Sequence, residues 1–235
     1  MLDIELYDKA TDSYDELQNT RPDYVQAVNR AIELAVKYLN TKSDIVIVDF
    51  CCGTGQITKK LAEAVGGAEK VTLIDINEHF LRIAMNLGIK TKKIEAKNNV
   101  LSANLKPEAD IVLAMFAYHH MPDADKETFL KQARNALKPQ GLLLLGEIYS
   151  PDRETTIRYY ENLYDSIPKE KQSPELEKFL TETAESEQFE FKVVKSFADK
   201  QLTKNGFILL QSDKIFPKDE TFSADIGTFV EVWKV

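Results

Sequence analysis

The chain has 235 residues, of which 43% are hydrophobic and 29% are charged, and its formal net charge is −8. A chain of this length buries roughly 70–75% of its unfolded surface as one α/β domain, so its stability requires neither a disulfide nor a structural metal. Its apolar runs fall short of the ~18 residues of a membrane span, and its acidity disfavours nucleic acid as a partner.

The first segment of the chain, MLDIELYDKATDSYDEL, has neither a basic region nor an apolar core. This composition predicts a cytosolic protein without a secretory signal. Cys51 and Cys52 are adjacent, a spacing that fits neither an ordinary disulfide nor half of a zinc site. We therefore expect reduced thiols and no bound metal.

The first predicted helix begins after Thr20, a good N-cap residue, and has Pro22 in its first turn. Its apolar residues recur at helical spacing as far as Leu39. Residues 45–50 (IVIVDF) form a continuous apolar run, which is typical of a strand covered on both faces. The run ends in a turn with two glycines, at 53 and 55.

Beyond this turn the predicted helices and strands alternate. The strands are predicted at 71–75, 91–96, 111–116 and 142–148, with helices between them that end near Gly66, Gly88 and Pro139. Asn77 is expected to open the second of these helices. Strands separated by helices indicate a parallel sheet with right-handed crossovers and helices on both faces.

The last third of the chain has a different pattern. Polar helices are predicted at 154–165 and 174–187, and two strands follow at 207–216 and 228–235. The connection between these strands is too short for a crossover helix, so they should pair antiparallel. The sequence thus predicts an α/β, doubly wound, mostly parallel sheet closed by a C-terminal antiparallel hairpin.

Ligands of such folds bind at the carboxyl ends of the strands. Gly53 and Gly55 allow the backbone to approach a ligand closely, and Asp75, at the end of the second strand, can accept both hydroxyls of a ribose. A nucleoside-containing cofactor follows from this pattern. A dinucleotide fingerprint needs a third glycine where this chain has Thr58, which weakens the case for NAD.

The segment at 48–55 (VDFCCGTG) resembles the first motif of class I S-adenosylmethionine-dependent methyltransferases, L-D-x-G-C-G-T-G. Asp75 and Asn98 stand where that family has its ribose-binding and adenine-contacting acids. Residues 116–123 (FAYHHMPD) resemble the family's stretch after the fourth strand, often L-H-H-L-P-D. The chain departs from the family pattern where Cys51 replaces a glycine and where Asn98 replaces an acid.

The resemblance implies a seven-stranded sheet and a single methyltransferase domain over residues 1–235. Its expected parts are an N-terminal helical cap (1–43), a cofactor-binding core (44–148), a variable helical segment on the acceptor side (149–206) and a closing strand pair (207–235).

The resemblance also implies a set of contacts with S-adenosylmethionine. Asp75 is expected to bind the ribose, Ile76 and Asn98 the adenine, and the turn of Gly53, Thr54 and Gly55, which follows Cys51, the methionine tail. Asp49 should orient the turn and bind the ammonium group of the tail. Carbonyl groups at Met115 or Phe116 should accept the remaining ammonium protons.

Methyl transfer depends mainly on holding the acceptor atom in line with the methyl group, and a base is optional. His119, slightly favoured over His120, is placed to act as that base, with Tyr118 beside them as a third candidate. Structural roles for the histidines remain open. Tyrosines at 7, 14, 149, 159, 160 and 164 are candidates for an aromatic lid or for core packing. Arg21 is expected to be a solvated residue at the helix start, with contact to the cofactor carboxylate as the alternative.

The sequence therefore predicts a cytoplasmic methyltransferase that uses S-adenosylmethionine and acts on oxygen or nitrogen of a small-molecule acceptor. Two alternatives remain open. The same turn and acid could serve an NAD(P)-dependent oxidoreductase, and the departures from the family motif keep a non-catalytic cofactor-binding domain in consideration.

Overall fold

The computed structural model describes residues 13–40, 44–186 and 190–235. Its strands are β1 (Val46–Phe50), β2 (Ala68–Ile74), β3 (Thr91–Lys97), β4 (Ala109–Met115), β5 (Leu137–Tyr149), β6 (Ile208–Phe216) and β7 (Gly227–Lys234). They form one seven-stranded sheet in the order β3-β2-β1-β4-β5-β7-β6. β1 to β5 are parallel, and β7 is antiparallel to β5 and β6. The predicted doubly wound α/β fold with its antiparallel C-terminal pair is confirmed.

Helices cover both faces of this sheet. They are α1 (Tyr14–Thr20), α2 (Pro22–Leu39), α3 (Gln56–Ala64), α4 (Glu78–Asn86), α5 (Asp123–Ala136), α6 (Arg153–Ser166), α7 (Pro174–Glu185) and α8 (Lys195–Lys204). Successive residues of a strand point to opposite faces, so Ile47 packs with α2, α3 and α4 while Val48 packs with α5 and α8. A third apolar cluster joins α6 and α7 to Ile148 at the end of β5.

Two predicted boundaries are wrong. Thr20 does not cap the long helix, because it is the last residue of α1, where its hydroxyl donates to the carbonyl of Glu16. β5 begins at Leu137 instead of Leu142, since the Pro-Gln-Gly sequence forms an irregularity within the strand and does not end it. Gln140 adopts a φ of 68° there, and the strand pairing shifts register beside it.

The strand order places the ends of β1 and β4 at the point where the chain reverses its direction of travel across the sheet. Ligands of doubly wound folds bind at this position. Asn77 caps α4 as predicted, and its side chain accepts from the backbone amides of His79 and Phe80. This cap fixes the turn between β2 and α4, which carries Asp75.

Candidate functional site

A buried carboxylate lies at the carboxyl ends of β1 and β2. Phe50 pairs with Ile74 in the sheet, which brings the turn after β1 beside Asp75. One Asp75 oxygen accepts from the backbone amide of Gly53 at 2.7 Å, and the other accepts from the amide of Asn77 at 2.9 Å. Burial raises the pKa of Asp75, and these amide donors oppose the shift. The carboxylate is held rigidly and retains lone pairs for a diol.

The two glycines of the turn have different reasons to be glycine. Both have positive φ, 52° at Gly53 and 79° at Gly55. A Cβ on Gly53 would meet no atom within 4 Å, so this backbone borders open space that a ligand can fill. A Cβ on Gly55 would lie 2.9 Å from the Cβ of Ala84. Gly55 is therefore needed for close packing against α4. The sequence had predicted instead that its missing side chain lets the backbone approach a ligand.

Asp49, at the end of β1, borders the small cavity beside the glycine turn. Its carboxylate accepts a short hydrogen bond from the hydroxyl of Thr58, the residue that stands where a dinucleotide fingerprint has its third glycine. Burial raises the pKa of Asp49 to about 7, with the nearby Asp75 adding to the shift and Thr58 opposing it. A cationic group entering this cavity would find a carboxylate poised to ionise.

The cysteines form the turn between Asp49 and Gly53. Cys51 has a φ of 55°, the left-handed conformation for which glycine is best suited, and this position is glycine in the motif that the segment resembles. Both thiols border the cavity, and burial raises the pKa of each well above its ordinary value. They are free thiols in the structure, as the sequence predicted. Protonated thiols are poor nucleophiles, which favours a structural role.

Helix α1 lies across the glycine turn. Asp15 accepts from the hydroxyl of Thr54 at 2.6 Å and from the side-chain amide of Gln56 at 3.1 Å, and the Tyr14 ring contacts that of Phe80 with centroids 5.1 Å apart. The cavity between α1 and the turn is about 30 Å³, room for a few water molecules. Helix α1 thus lies beside the site and borders its cavity through Tyr14.

The other predicted cofactor contacts lie around the same edge of the sheet. Ile76 is 50% exposed and follows Asp75 directly, as a residue that stacks on a base requires. Asn98 is exposed in the turn after β3. Met115 is buried and borders the cavity together with Phe116, which turns the chain at the end of β4 with a φ of 56°. Their roles in cofactor binding stay predictions.

His119 forms a buried pair with Glu147, a residue of β5 that the sequence analysis did not single out. One Glu147 oxygen accepts from the His119 backbone amide at 3.0 Å, and the other accepts from the Ile148 amide at 2.7 Å and contacts His119 Nδ1. Because two amides point at Glu147, it acts as acceptor, so Nδ1 carries the proton and Nε2 keeps its lone pair. Burial lowers the pKa of His119 and raises that of Glu147.

A segment of the acceptor-side region covers this pair. The Phe191 amide donates to the His119 carbonyl at 2.7 Å, and the Ser150 amide donates to the Val193 carbonyl at 3.1 Å. The buried Lys126 ammonium donates to the Phe191 carbonyl at 2.7 Å, which ties the segment to the start of α5. The covering segment, residues 190–193, thus connects the ends of β4 and β5 on the side expected to receive the acceptor.

The covering segment brings two more charged groups to the histidines. Glu190 and Lys192 are buried and form an ion pair. The carboxylate oxygens of Glu190 lie 3.9 Å from His119 Nε2 and 3.9 Å from His120 Nδ1. Burial lowers the pKa of Lys192 to about 7. Neither residue could be found from the sequence, since no motif links them to the histidines about 70 positions earlier.

Tyr118 is placed differently from its two neighbours. Its ring is buried in the core against Phe129, and its hydroxyl donates a short hydrogen bond to Gln201 of α8. Burial raises its pKa. The Tyr118 hydroxyl is thus engaged by Gln201, and a catalytic role for it stays a prediction.

Arg21 is buried, and the expectation that it is solvated is wrong. Its guanidinium makes a bidentate pair with Asp23 at 3.2 and 2.8 Å and lies over the rings of Phe116 and Tyr160. The pair and the aromatic rings offset the cost of burying the charge. Among the candidate lid tyrosines, Tyr159 donates to Asp23 from the core, while Tyr7 lies outside the described residues.

Comparison with known proteins finds methyltransferases that are similar to this chain. A family model described as a methyltransferase domain matches residues 47–141. The ubiquinone/menaquinone biosynthesis C-methyltransferase of Shewanella sediminis is 27% identical over 168 residues, which cover 69% of this chain and 64% of that protein. A demethylmenaquinone methyltransferase of Lactobacillus johnsonii is 29% identical over 177 residues, covering 67% and 69%. The chain therefore spans about two thirds of the length of these relatives.

The fold has close counterparts among solved structures. An S-adenosylmethionine-dependent methyltransferase from Clostridium acetobutylicum superimposes with a TM-score of 0.66 at 16% identity, over 97% of this chain and 98% of that one. At this identity the likeness concerns the fold alone. Within the part of the chain that the structure describes, no helix has the length and apolar character needed to cross a membrane.

Proposed function

We propose that the chain is a class I S-adenosylmethionine-dependent methyltransferase, which transfers the methyl group of S-adenosylmethionine to a small-molecule acceptor. The observation that carries the proposal is the Asp75 carboxylate, held by backbone amides beside the open backbone of Gly53. This arrangement suits a ribose diol next to an amino-acid tail, and Thr58 stands where a dinucleotide fingerprint has its third glycine. The cytosolic location expected from the sequence is part of the proposal.

The described residues fit the parts of the cofactor. Asp75 binds the two ribose hydroxyls, and the exposed Ile76 side chain lies against the adenine, with Asn98 nearby. Asp49, ionised by the approach of a cation, binds the ammonium group of the methionine tail beside Gly53. The bound cofactor supplies an electrophilic methyl group on a sulfonium.

The acceptor lies on the side of His119 and the covering segment. Holding the acceptor atom in line with the methyl group contributes up to roughly 7–11 kcal/mol of barrier lowering. His119 Nε2 accepts the proton of an acceptor hydroxyl or amine, while Glu147 stabilises the imidazolium that forms through Nδ1–H. The covering segment has to move to admit the acceptor, because His119 is buried and the segment is bound to its backbone through Phe191.

Methylation at carbon is a second candidate, favoured by the relatives whose names specify C-methylation or a demethylmenaquinone acceptor. The residues proposed for oxygen or nitrogen methylation also serve carbon methylation. Removing the proton of a ring hydroxyl by His119 makes the neighbouring ring carbons nucleophilic. Oxygen, nitrogen and carbon methylation thus begin with the same proton transfer and differ in which atom of the acceptor faces the methyl group. Carbon methylation also requires the methylated ring carbon to lose its proton, which restores the aromatic ring.

The proposal is tested with S-adenosylmethionine that carries a deuterated methyl group, offered with a panel of phenols, hydroquinones and amines. We expect a labelled product from at least one class, and fragmentation in the mass spectrometer identifies the methylated atom. His119→Ala should lower the rate while cofactor binding stays intact, and a wild-type rate in this variant would return His119 to a structural role. Absence of labelled product together with absence of cofactor binding would contradict the proposal.

A further inference from the structure

Three side chains outside the cofactor cleft form a compact ligand set. His119 Nε2 and His120 Nδ1 each lie 3.9 Å from a carboxylate oxygen of Glu190, and the candidate donor atoms all lie within 4.8 Å of one another. We propose that His119, His120 and Glu190 bind a divalent first-row transition metal ion. This site goes beyond the proposed methyl transfer, and the sequence alone predicted no metal.

His119 is already oriented as a metal ligand. Glu147 accepts from its backbone amide and contacts Nδ1, which fixes the ring and assigns the proton to Nδ1. Nε2 is left with its lone pair and lies 3.9 Å from a carboxylate oxygen of Glu190. A histidine that donates its second ring N–H to a carboxylate is the common arrangement in metal sites, because the carboxylate fixes the tautomer and raises the basicity of the ligand.

Glu190 supplies the second, independent indication of a ligand. Both of its carboxylate oxygens are buried, and neither makes a hydrogen bond with the described residues. Its contact with the Lys192 ammonium is an ion pair without hydrogen-bond geometry. Buried carboxylate oxygens are nearly always hydrogen-bonded or coordinated, so these oxygens, whose cationic contact is the Lys192 ammonium, keep acceptor capacity for a metal ion.

The donor types select the class of ion. Two imidazoles and one carboxylate suit Zn²⁺, Fe²⁺, Co²⁺ or Ni²⁺, whereas Mg²⁺ and Ca²⁺ prefer an all-oxygen set. Ligand atoms around a tetrahedral ion with bonds of about 2.0–2.1 Å are about 3.3–3.5 Å apart. The contacts of 3.9 Å therefore need to shorten by about 0.5 Å, and the donor atoms, which all lie within 4.8 Å of one another, have to close in further where they are more widely spaced. Three protein ligands leave a position open for water or an acceptor oxygen.

Lys192 competes with the metal ion for Glu190, since its ammonium contacts the carboxylate that the ion would bind. Metal binding has to displace this ammonium, so removal of the charge should strengthen metal binding. The metal also takes the same Nε2 of His119 that the proposed proton transfer uses. The metal-bound form and the form with His119 as base are therefore mutually exclusive.

The test uses Co²⁺ as the probe, with the full chain purified without a histidine tag and stripped with a chelator. We expect one equivalent of Co²⁺ to bind and to give visible absorption bands of low-symmetry coordination. His120→Gln and Glu190→Gln should each weaken binding at least tenfold, and Lys192→Met should strengthen it severalfold. His79→Gln, at the only other histidine of the chain, is the matched control and should bind as the wild type does.

Absence of Co²⁺ binding to the wild-type chain would overturn the proposal, as would full binding by both His120→Gln and Glu190→Gln. Circular dichroism and binding of S-adenosylhomocysteine by each variant verify that it is folded. Because cobalt binding is measured without cofactor or acceptor, failure of the metal site is distinguishable from failure of the proposed methyl transfer.

Discussion

The affinity for the cofactor should rise with pH, because Asp49 has to be ionised to bind the ammonium group of the methionine tail. Its pKa of about 7 in the cofactor-free protein means that roughly one eleventh of the molecules carry the carboxylate near pH 6 and ten elevenths near pH 8. The dissociation constant of S-adenosylhomocysteine should therefore fall about tenfold between these values, or about 1.4 kcal/mol.

The measurement is calorimetric titration with S-adenosylhomocysteine in buffers of different ionisation enthalpy. Near pH 6, binding should release close to one proton from Asp49. Asp49→Asn should bind more weakly near pH 8 and lose much of the pH dependence, which separates its contribution from that of Asp75, whose pKa is also raised by burial. Thr58→Val removes the donor that opposes the shift, so the transition should move to higher pH.

The stability of the cofactor-free protein should depend on pH in the opposite direction. The folded pKa of Asp49 lies above its unfolded value of 3.8, so the stability it contributes is complete below that value and is lost as pH rises through about 7. Urea unfolding should show this loss, and Asp49→Asn should reduce it. An affinity that is constant, or that falls as pH rises from 6 to 8, would refute the assigned role of Asp49.

Three further predictions concern the cleft and its support. Asp75→Ala should weaken binding of S-adenosylhomocysteine at least tenfold, about 1.4 kcal/mol, and unchanged affinity in a titration would remove Asp75 from the site. Gly53→Ala should lower the unfolding free energy by about 1 kcal/mol and weaken cofactor binding. Gly55→Ala should lower the unfolding free energy more, because the new Cβ would meet Ala84. Equal losses of the two variants in urea unfolding would contradict this difference. Tyr159→Phe, which removes a buried hydroxyl with two partners, should lower the unfolding free energy by about 1–3 kcal/mol, and wild-type stability would show that these hydrogen bonds are replaced.

The cofactor cleft could be predicted from the sequence because its residues follow consecutive strand ends. Parallel strands bring their carboxyl ends to one edge, so a turn at Gly53 and an acid at Asp75 have to meet there. The sequence could not reveal that Gly55 serves packing, since the contact with Ala84 depends on the angle between two helices. Nor could it place α1, because Asp15 reaches Thr54 across 39 positions.

Most residues of the acceptor side could not be predicted from the sequence either, because their contacts join distant parts of the chain. His119 belongs to a recognisable stretch, but its partners come from β5 and from the covering segment, which carry no motif. One signal was present, because Glu147 interrupts the apolar run of β5 and a charge within a buried strand requires a partner. Arg21 was misjudged because an arginine before Pro22 at a helix start is usually exposed, and only the tertiary structure supplies its aromatic neighbours.

The most direct test of the account is equilibrium binding of S-adenosylhomocysteine and of NADH to the purified chain, measured side by side. If Asp75 binds a ribose next to a tail without phosphate, S-adenosylhomocysteine should saturate one site per chain while NADH does not compete for it. Saturable binding of NADH with no binding of S-adenosylhomocysteine would contradict the assignment of the cleft.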